Sequence, residues 1–145
     1  MLSHKATVII ADDSLVLRGI ISRALREAPD IETVRTVSDG DAAIRYAGEL
    51  KPDIVLLDIE MPRKNGLEAL QEILEVSPQT RVMMVSSLTH RNADISMRAL
   101  ALGAADYVAK PEAGEHDAFG RFAEELLTKI RTLIAAARRG RQESR

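Results

Sequence analysis

The sequence contains no cysteine and no tryptophan, and only two tyrosines and two phenylalanines among its 145 residues. Without cysteine there is no disulfide framework, no thiolate metal site and no cysteine nucleophile. With aromatics at 3%, the core must be built from Leu, Ile, Val, Ala and Met, and an apolar fraction of 46% supplies enough of them. A surplus of one charge is missing too. A net charge of −2 and a pI near 5.9 exert no overall pull towards nucleic acid or an anionic membrane. No run approaches the ~18 apolar residues of a membrane span, and residues 1–7 lack the apolar stretch of a signal peptide. These absences lead us to expect one soluble, cytoplasmic domain of ordinary size, with no direct DNA binding and no membrane contact. One local asymmetry remains, because Arg138, Arg139, Arg141 and Arg145 make the last eight residues basic. Cations suit a helix C-terminus, so residues 136–145 read as a basic tail or linker start. Residues 1–5 read as an N-terminal extension and residues 6–135 as the domain.

What is present is a regular alternation of short apolar runs and amphipathic stretches. Residues 6–11 (ATVIIA) form a β-branched run of strand length. Leu17, Ile20, Ile21, Ala24 and Leu25 then recur at the spacing of a helix with one buried face. That helix stops at Ala28-Pro29-Asp30, since proline disfavours helical geometry in the residue before it. Residues 33–37 predict a polar strand at the sheet edge. Residues 39–50 predict a helix, with Ala42, Ala43, Tyr46 and Ala47 on one face, followed by a turn at Lys51-Pro52-Asp53. Residues 54–57 (IVLL) are the most apolar strand and belong at the sheet centre. Further on come a helix over 66–76, a strand over 82–85, and a helix over 91–102 ended by Gly103. A fifth strand covers 106–109, and a last helix carries Phe119, Phe122, Ala123, Leu126, Leu127, Ile130, Leu133 and Ile134 on its inner face. Met83 and Met84 lie within a strand and read as core. His4, His90 and His116 read as solvated loop or terminal residues. Five β/α units in series imply an α/β fold, a doubly wound five-stranded parallel sheet with helices on both faces.

In such a sheet all strands end at one edge, and chemistry collects there. Asp12-Asp13 follow the first predicted strand, Asp58 with the Glu60-Met61-Pro62 loop the third, Ser86-Ser87 the fourth and Lys110-Pro111 the fifth. With the strand order 2-1-3-4-5, the three aspartates share one pocket. Crowded carboxylates raise one another's pKa, a cost relieved by an ammonium or a hard divalent cation. Mg2+ suits a few carboxylate oxygens and leaves room for a phosphate oxygen. Asp58 is then the nucleophile for a phosphoryl group, Lys110 its counter-charge and Ser86 a hydrogen-bond donor to it. Taken singly, an Asp-Asp pair is usually a helix cap, which Asp13 or Ser14 would supply here, and an Asp at a strand end usually forms a turn. All of them landing on one edge is what such isolated roles do not explain.

Asp12-Asp13-Ser14, Asp58 within LLDIEMPRKNG, Ser86 within VMMVSS, Gly103 within ALGAADYVAKP and Lys110-Pro111 together resemble a response-regulator receiver domain of two-component signalling, over residues 6 to about 111. The resemblance implies a flavodoxin-like fold with Asp58 as phosphoacceptor. It implies Mg2+ held by Asp13, Asp58 and the Glu60 backbone carbonyl with help from Asp12, and a sensor histidine kinase as phosphohistidine donor. It places Ser86 and Lys110 on the phosphoryl group and Tyr107 at the family's aromatic switch position, on a helix 4/strand 5/helix 5 face that changes. DIEMPRKNGLEAL, MVSSLT, RALALGAADYVAKP and KIRTLIAAARR are similar to the receiver half of chemotaxis protein-glutamate methylesterases, which usually carry Asp where this chain has Asn65. No Ser/His/Asp hydrolase set can be assembled from these residues. The expectation is the regulatory N-terminal part of a methylesterase or a free-standing single-domain regulator. A flavodoxin-like cofactor binder is disfavoured because Asp12-Asp13 would repel a flavin phosphate. An aspartyl phosphatase is disfavoured because the acidic pair lies on a different strand from Asp58.

Overall fold

The computed structural model describes residues 5–87, 89–112, 114 and 116–143, without the side chains of residues 90 and 141–143. Residues 1–4 of the expected N-terminal extension, Arg145 and the side chains of His90 and Arg141 thus lie outside the described residues. Ten elements alternate along the chain: β1 (Ala6–Ala11), α1 (Leu15–Arg26), β2 (Ile31–Val37), α2 (Gly40–Leu50), β3 (Ile54–Asp58), α3 (Gly66–Val76), β4 (Arg81–Ser86), α4 (His90–Ala101), β5 (Asp106–Ala109) and α5 (Ala118–Glu143). The five strands pair in parallel in the order β2-β1-β3-β4-β5. No described helix is long and apolar enough to cross a membrane.

The pleat sorts each strand into two rows. Val8 and Ile10, Ile54 and Leu56, Met83 and Val85, and Val108 meet Leu17, Ile21 and Leu25 of α1 and Phe122, Leu126 and Ile130 of α5. Ile9 and Ala11, Val55 and Leu57, and Val82 and Met84 meet Ala43 and Ala47 of α2, Leu70 and Ile73 of α3 and Ala99 of α4. Every residue of β3 is buried, as its uninterrupted apolar run requires.

Two expectations need adjustment. β2 begins at Ile31, two residues before the predicted start. The pairing shifts between Val8–Thr33 and Ile9–Arg35, so Val34 is an extra residue opposite one step of β1. That bulge breaks the alternation from which strands are read. Phe119, expected on the buried face of the last helix, is 56% exposed. The buried stripe of α5 runs Ala118, Phe122, Leu126, Ile130, Ile134. Steps of four drift by roughly 40° each at 3.6 residues per turn, so at the start of the helix the core side passes through Ala118. Phe119, about 100° further round, turns outward. The basic residues Arg138 and Arg139 belong to α5, which runs on to Glu143, in keeping with cations at a helix C-terminus. A bidentate ion pair from Arg131 to Asp30, at 3.0 and 2.9 Å, ties this helix to the α1–β2 turn. Exposed as it is, that pair contributes at most about 1 kcal/mol.

Candidate functional site

Four of the loops at the C-terminal edge are fixed by caps, the one between β2 and α2 by Asp39, which accepts the amide of Ala42 at 2.8 Å. Ser14 accepts the amide of Leu17 at 3.2 Å and so caps α1, leaving Asp13 uncommitted. After β3 the chain folds back, with Gly66 N–H donating to the Ile59 carbonyl at 2.8 Å. Asn65 caps α3 by accepting from the amide of Glu68 at 3.1 Å. A cap uses one side-chain oxygen, which Asn supplies as well as Asp; this is the physical reason the departure at Asn65 is tolerated. Thr89 caps α4 through the amide of Asn92 at 3.0 Å.

The return of the β3–α3 loop needs glycine. A Cβ on Gly66 would stand 2.7 Å from the Ile59 Cα and 2.8 Å from the Asp58 carbonyl oxygen, both backbone atoms. Gly66→Ala is therefore expected to displace the loop that follows Asp58 and to lower stability by about 1–3 kcal/mol. A shift in the urea midpoint measures this, and an unchanged midpoint would show that the loop yields freely.

The pleat rows explain which side chains meet. Asp12, Asp58 and Lys110 continue the rows of Val8–Ile10, Ile54–Leu56 and Val108, and so come together on the α1/α5 side of the edge. Asp12 and Asp58 are each 1% exposed, whereas Asp13 is exposed. One carboxylate oxygen from each of Asp12, Asp13 and Asp58 lies within 4.8 Å of the others. The Lys110 ammonium is 2.9 Å from Asp58 Oδ1 and 3.9 Å from Asp12 Oδ2. The amides of Ser14 and Glu60 donate to Asp12 Oδ1 at 2.8 Å and to Asp58 Oδ1 at 3.3 Å. Among the described residues, Asp12 Oδ2 and Asp58 Oδ2 are buried with no hydrogen-bond partner.

Burial is the largest influence on Asp58 and pushes its carboxyl up to about 6, with the charge of Asp12 adding and Lys110 and the Glu60 amide opposing. Burial likewise raises Asp12, against the Ser14 amide and Lys110. Burial alone would lower Lys110, but the hydrogen bond and charge of Asp58, with Asp12 and Asp13, outweigh it and hold the ammonium above its usual range. Two buried oxygens without partners beside a third carboxylate are a cost unless something positive joins them. Their all-oxygen character fits a hard divalent cation such as Mg2+.

The sequence-derived residues thus divide. Asp12, Asp13, Asp58 and Lys110 converge. Glu60 contributes its backbone amide, and its side chain is exposed. Ser86 is buried at the end of β4, joined to β5 by the Lys110 amide donating to its carbonyl at 2.8 Å, but its hydroxyl bonds Ser96 Oγ at 3.3 Å rather than Asp58. Tyr107 is 38% exposed on edge strand β5, with the Lys129 ammonium 5.3 Å from its ring centre. Sequence reasoning passed over Ser96 and Asn92, each 2% exposed on α4. The available signal was a pair of polar residues four apart on an otherwise amphipathic helix.

The family model for the response regulator receiver domain matches residues 8–117. Over 142 residues the chain is 46% identical to a protein-glutamate methylesterase/protein-glutamine glutaminase of Azospirillum brasilense, covering 95% of this chain and 35% of that protein. The chain spans about a third of the length of the curated relatives it matches. The crystal structure of the response regulator domain of Thermotoga maritima CheB superposes with a TM-score of 0.81 at 41% identity, covering 91% of this chain and 98% of that one. A structure described as the P1 domain of CheA3 in complex with CheY6 from R. sphaeroides gives a TM-score of 0.74 at 30% identity, covering 92% of this chain and 99% of that one.

Proposed function

Because the chain belongs to the response regulator receiver domain family, we propose that it accepts a phosphoryl group on Asp58 from a phosphohistidine of a sensor kinase. The observation that carries this reading is the buried, unpartnered Asp58 Oδ2 beside a lysine ammonium and two further aspartates. In the reaction an Asp58 oxygen attacks phosphorus, the new O–P bond forms as the P–N bond breaks, and the departing imidazole takes up a proton. Lys110 stays charged throughout and offsets the charge gathered on the phosphoryl oxygens. Asp12 and Asp13, with Asp58 and the Glu60 carbonyl, would hold Mg2+, which supplies further neutralisation of those oxygens when bound. Ser86 would donate its hydroxyl to the phosphoryl group once formed, and Tyr107 would follow, changing the α4-β5-α5 face.

We assign the domain to residues 6–135 and read residues 136–145 as a basic tail or linker start. In a longer protein of the kind the relatives represent, the changed face would regulate a methylesterase domain; a free-standing switch is the other reading. Incubation with acetyl phosphate and Mg2+ should add one phosphoryl group per chain, read by intact mass and assigned to Asp58 by peptide mapping. Removing the metal with a chelator should stop the uptake. Equal uptake in chelator, or a phosphoryl group mapped to another residue, would overturn the assignment.

A further inference from the structure

Ser86 does not continue the row that brings Asp12, Asp58 and Lys110 together. It continues the row of Val82 and Met84, which faces α3 and α4. Its hydroxyl makes no hydrogen bond to Asp58 among the described residues, and its partner is the Ser96 hydroxyl at 3.3 Å. Both residues are nearly sealed from water, 6% and 2% exposed. The separation is long for two hydroxyls, which favour ~2.7–2.8 Å. Such a bond satisfies two buried groups yet yields to a charged acceptor, whose hydrogen bonds are roughly twice as strong.

One turn earlier on the same side of α4, Asn92 donates from Nδ2 to Ser87 Oγ at 2.6 Å, and its Oδ1 is buried without a partner among the described residues. The core-facing stripe of a helix is ordinarily apolar, but here Asn92 and Ser96 precede Ala99 on it. Two polar ties therefore run from consecutive residues at the end of β4 into α4. Packing alone does not call for them.

Building on the reading of Asp58 as phosphoacceptor, we propose that Ser96 is a positioning residue for that reaction: its hydroxyl retains that of Ser86 on the α4 side until phosphoryl oxygens arriving at Asp58, already in the transition state, draw it away. Only hydrogen bonds are exchanged in this step. The Ser96 hydroxyl, left without its partner, turns back to the carbonyl four residues earlier, that of Asn92, a contact that bends helices. Occupancy of Asp58 is thereby registered in the middle of α4.

The test is a double-mutant cycle on the whole chain, comparing wild type, Ser96→Ala, Ser86→Ala and the double variant in Mg2+-dependent uptake from acetyl phosphate. Freeing Ser86 in Ser96→Ala should raise the rate about fivefold, equivalent to roughly 1 kcal/mol for one net hydrogen bond. Ser96→Thr keeps a hydroxyl and should restore the wild-type rate. In the Ser86→Ala background the same change should have no effect on the rate. A merely structural Ser96 would lower stability and rate alike in both backgrounds; that result, or an unchanged rate in Ser96→Ala, overturns the proposal. Urea midpoints taken on all four chains identify any that has lost its fold, in which case the near-isosteric Ser96→Cys takes the place of Ser96→Ala. A wild type that takes up no phosphate removes the Asp58 reading and this proposal together, an outcome distinct from lost coupling in an active wild type.

Discussion

Asp58→Asn is expected to abolish phosphoryl uptake from acetyl phosphate and Mg2+, while the wild-type chain gains one group. The amide has nearly the shape of the carboxyl, so β3 and its pairing with Val85 should survive. What it lacks is the anionic oxygen that attacks phosphorus, and amides are poor nucleophiles. No neighbour replaces it easily. Asp12 is equally buried, but the Lys110 ammonium stands 3.9 Å from it against 2.9 Å from Asp58, and the Ser86 hydroxyl is turned towards Ser96. Nucleophilic residues of this kind, when removed, reduce rates by orders of magnitude rather than by small factors. The readout is intact mass over hours, and a phosphoryl group retained by Asp58→Asn would sink the assignment of Asp58 as acceptor.

The second large effect concerns stability in the absence of metal. Asp58 is held at about 6 in the folded chain against 3.8 as its ordinary value. Between those values the folded chain holds a proton that the unfolded chain has released. Stability is therefore highest below about pH 4 for this group and falls as pH rises to 6, by at most about 3 kcal/mol. The raised Asp12 adds a loss of the same sign. The raised Lys110 contributes stability that is lost only at alkaline pH. Urea unfolding in chelator should follow this fall, and Asp58→Asn should remove most of it and be the more stable chain at pH 7 by roughly 1–3 kcal/mol. Mg2+ should restore wild-type stability at pH 7, since a ligand bound only by the folded state stabilises it. A wild-type curve without a fall between pH 4 and 6, or an Asp58→Asn chain less stable at pH 7 without metal, would contradict this account of the pocket. The fall, once measured, is the local instability that three crowded carboxylates impose and a functional site carries.

Legibility in the sequence varied with the kind of signal. β3, α3 and β5 could be read closely because an unbroken apolar run, a clean helical period and a Gly or Pro boundary coincided. β2 was read short because the bulge at Val34 interrupts a period-two pattern. Phe119 was assigned inward because a helical period has no means of showing how the buried stripe drifts along a 26-residue helix. Of the residues gathered at that edge, Asp12, Asp13, Asp58 and Lys110 could be picked out because charge at strand ends is conspicuous. Ser96 and Asn92 could not, because a polar residue within a helix looks the same whether it faces solvent or core.

By itself, the sequence determined the alternation of strands and helices, the parallel sheet and the set of charged groups at its C-terminal edge. Those follow from periodicity and from the rule that parallel strands end together. The tertiary structure alone decided on which side of that edge each group stands. Asp12, Asp58 and Lys110 fall on the rows facing α1 and α5, and Ser86 on the row facing α4, because successive side chains of a strand point to opposite faces. Which neighbour then meets each hydroxyl or carboxylate depends on the register between strands and the placement of α4, and both are set by long-range packing.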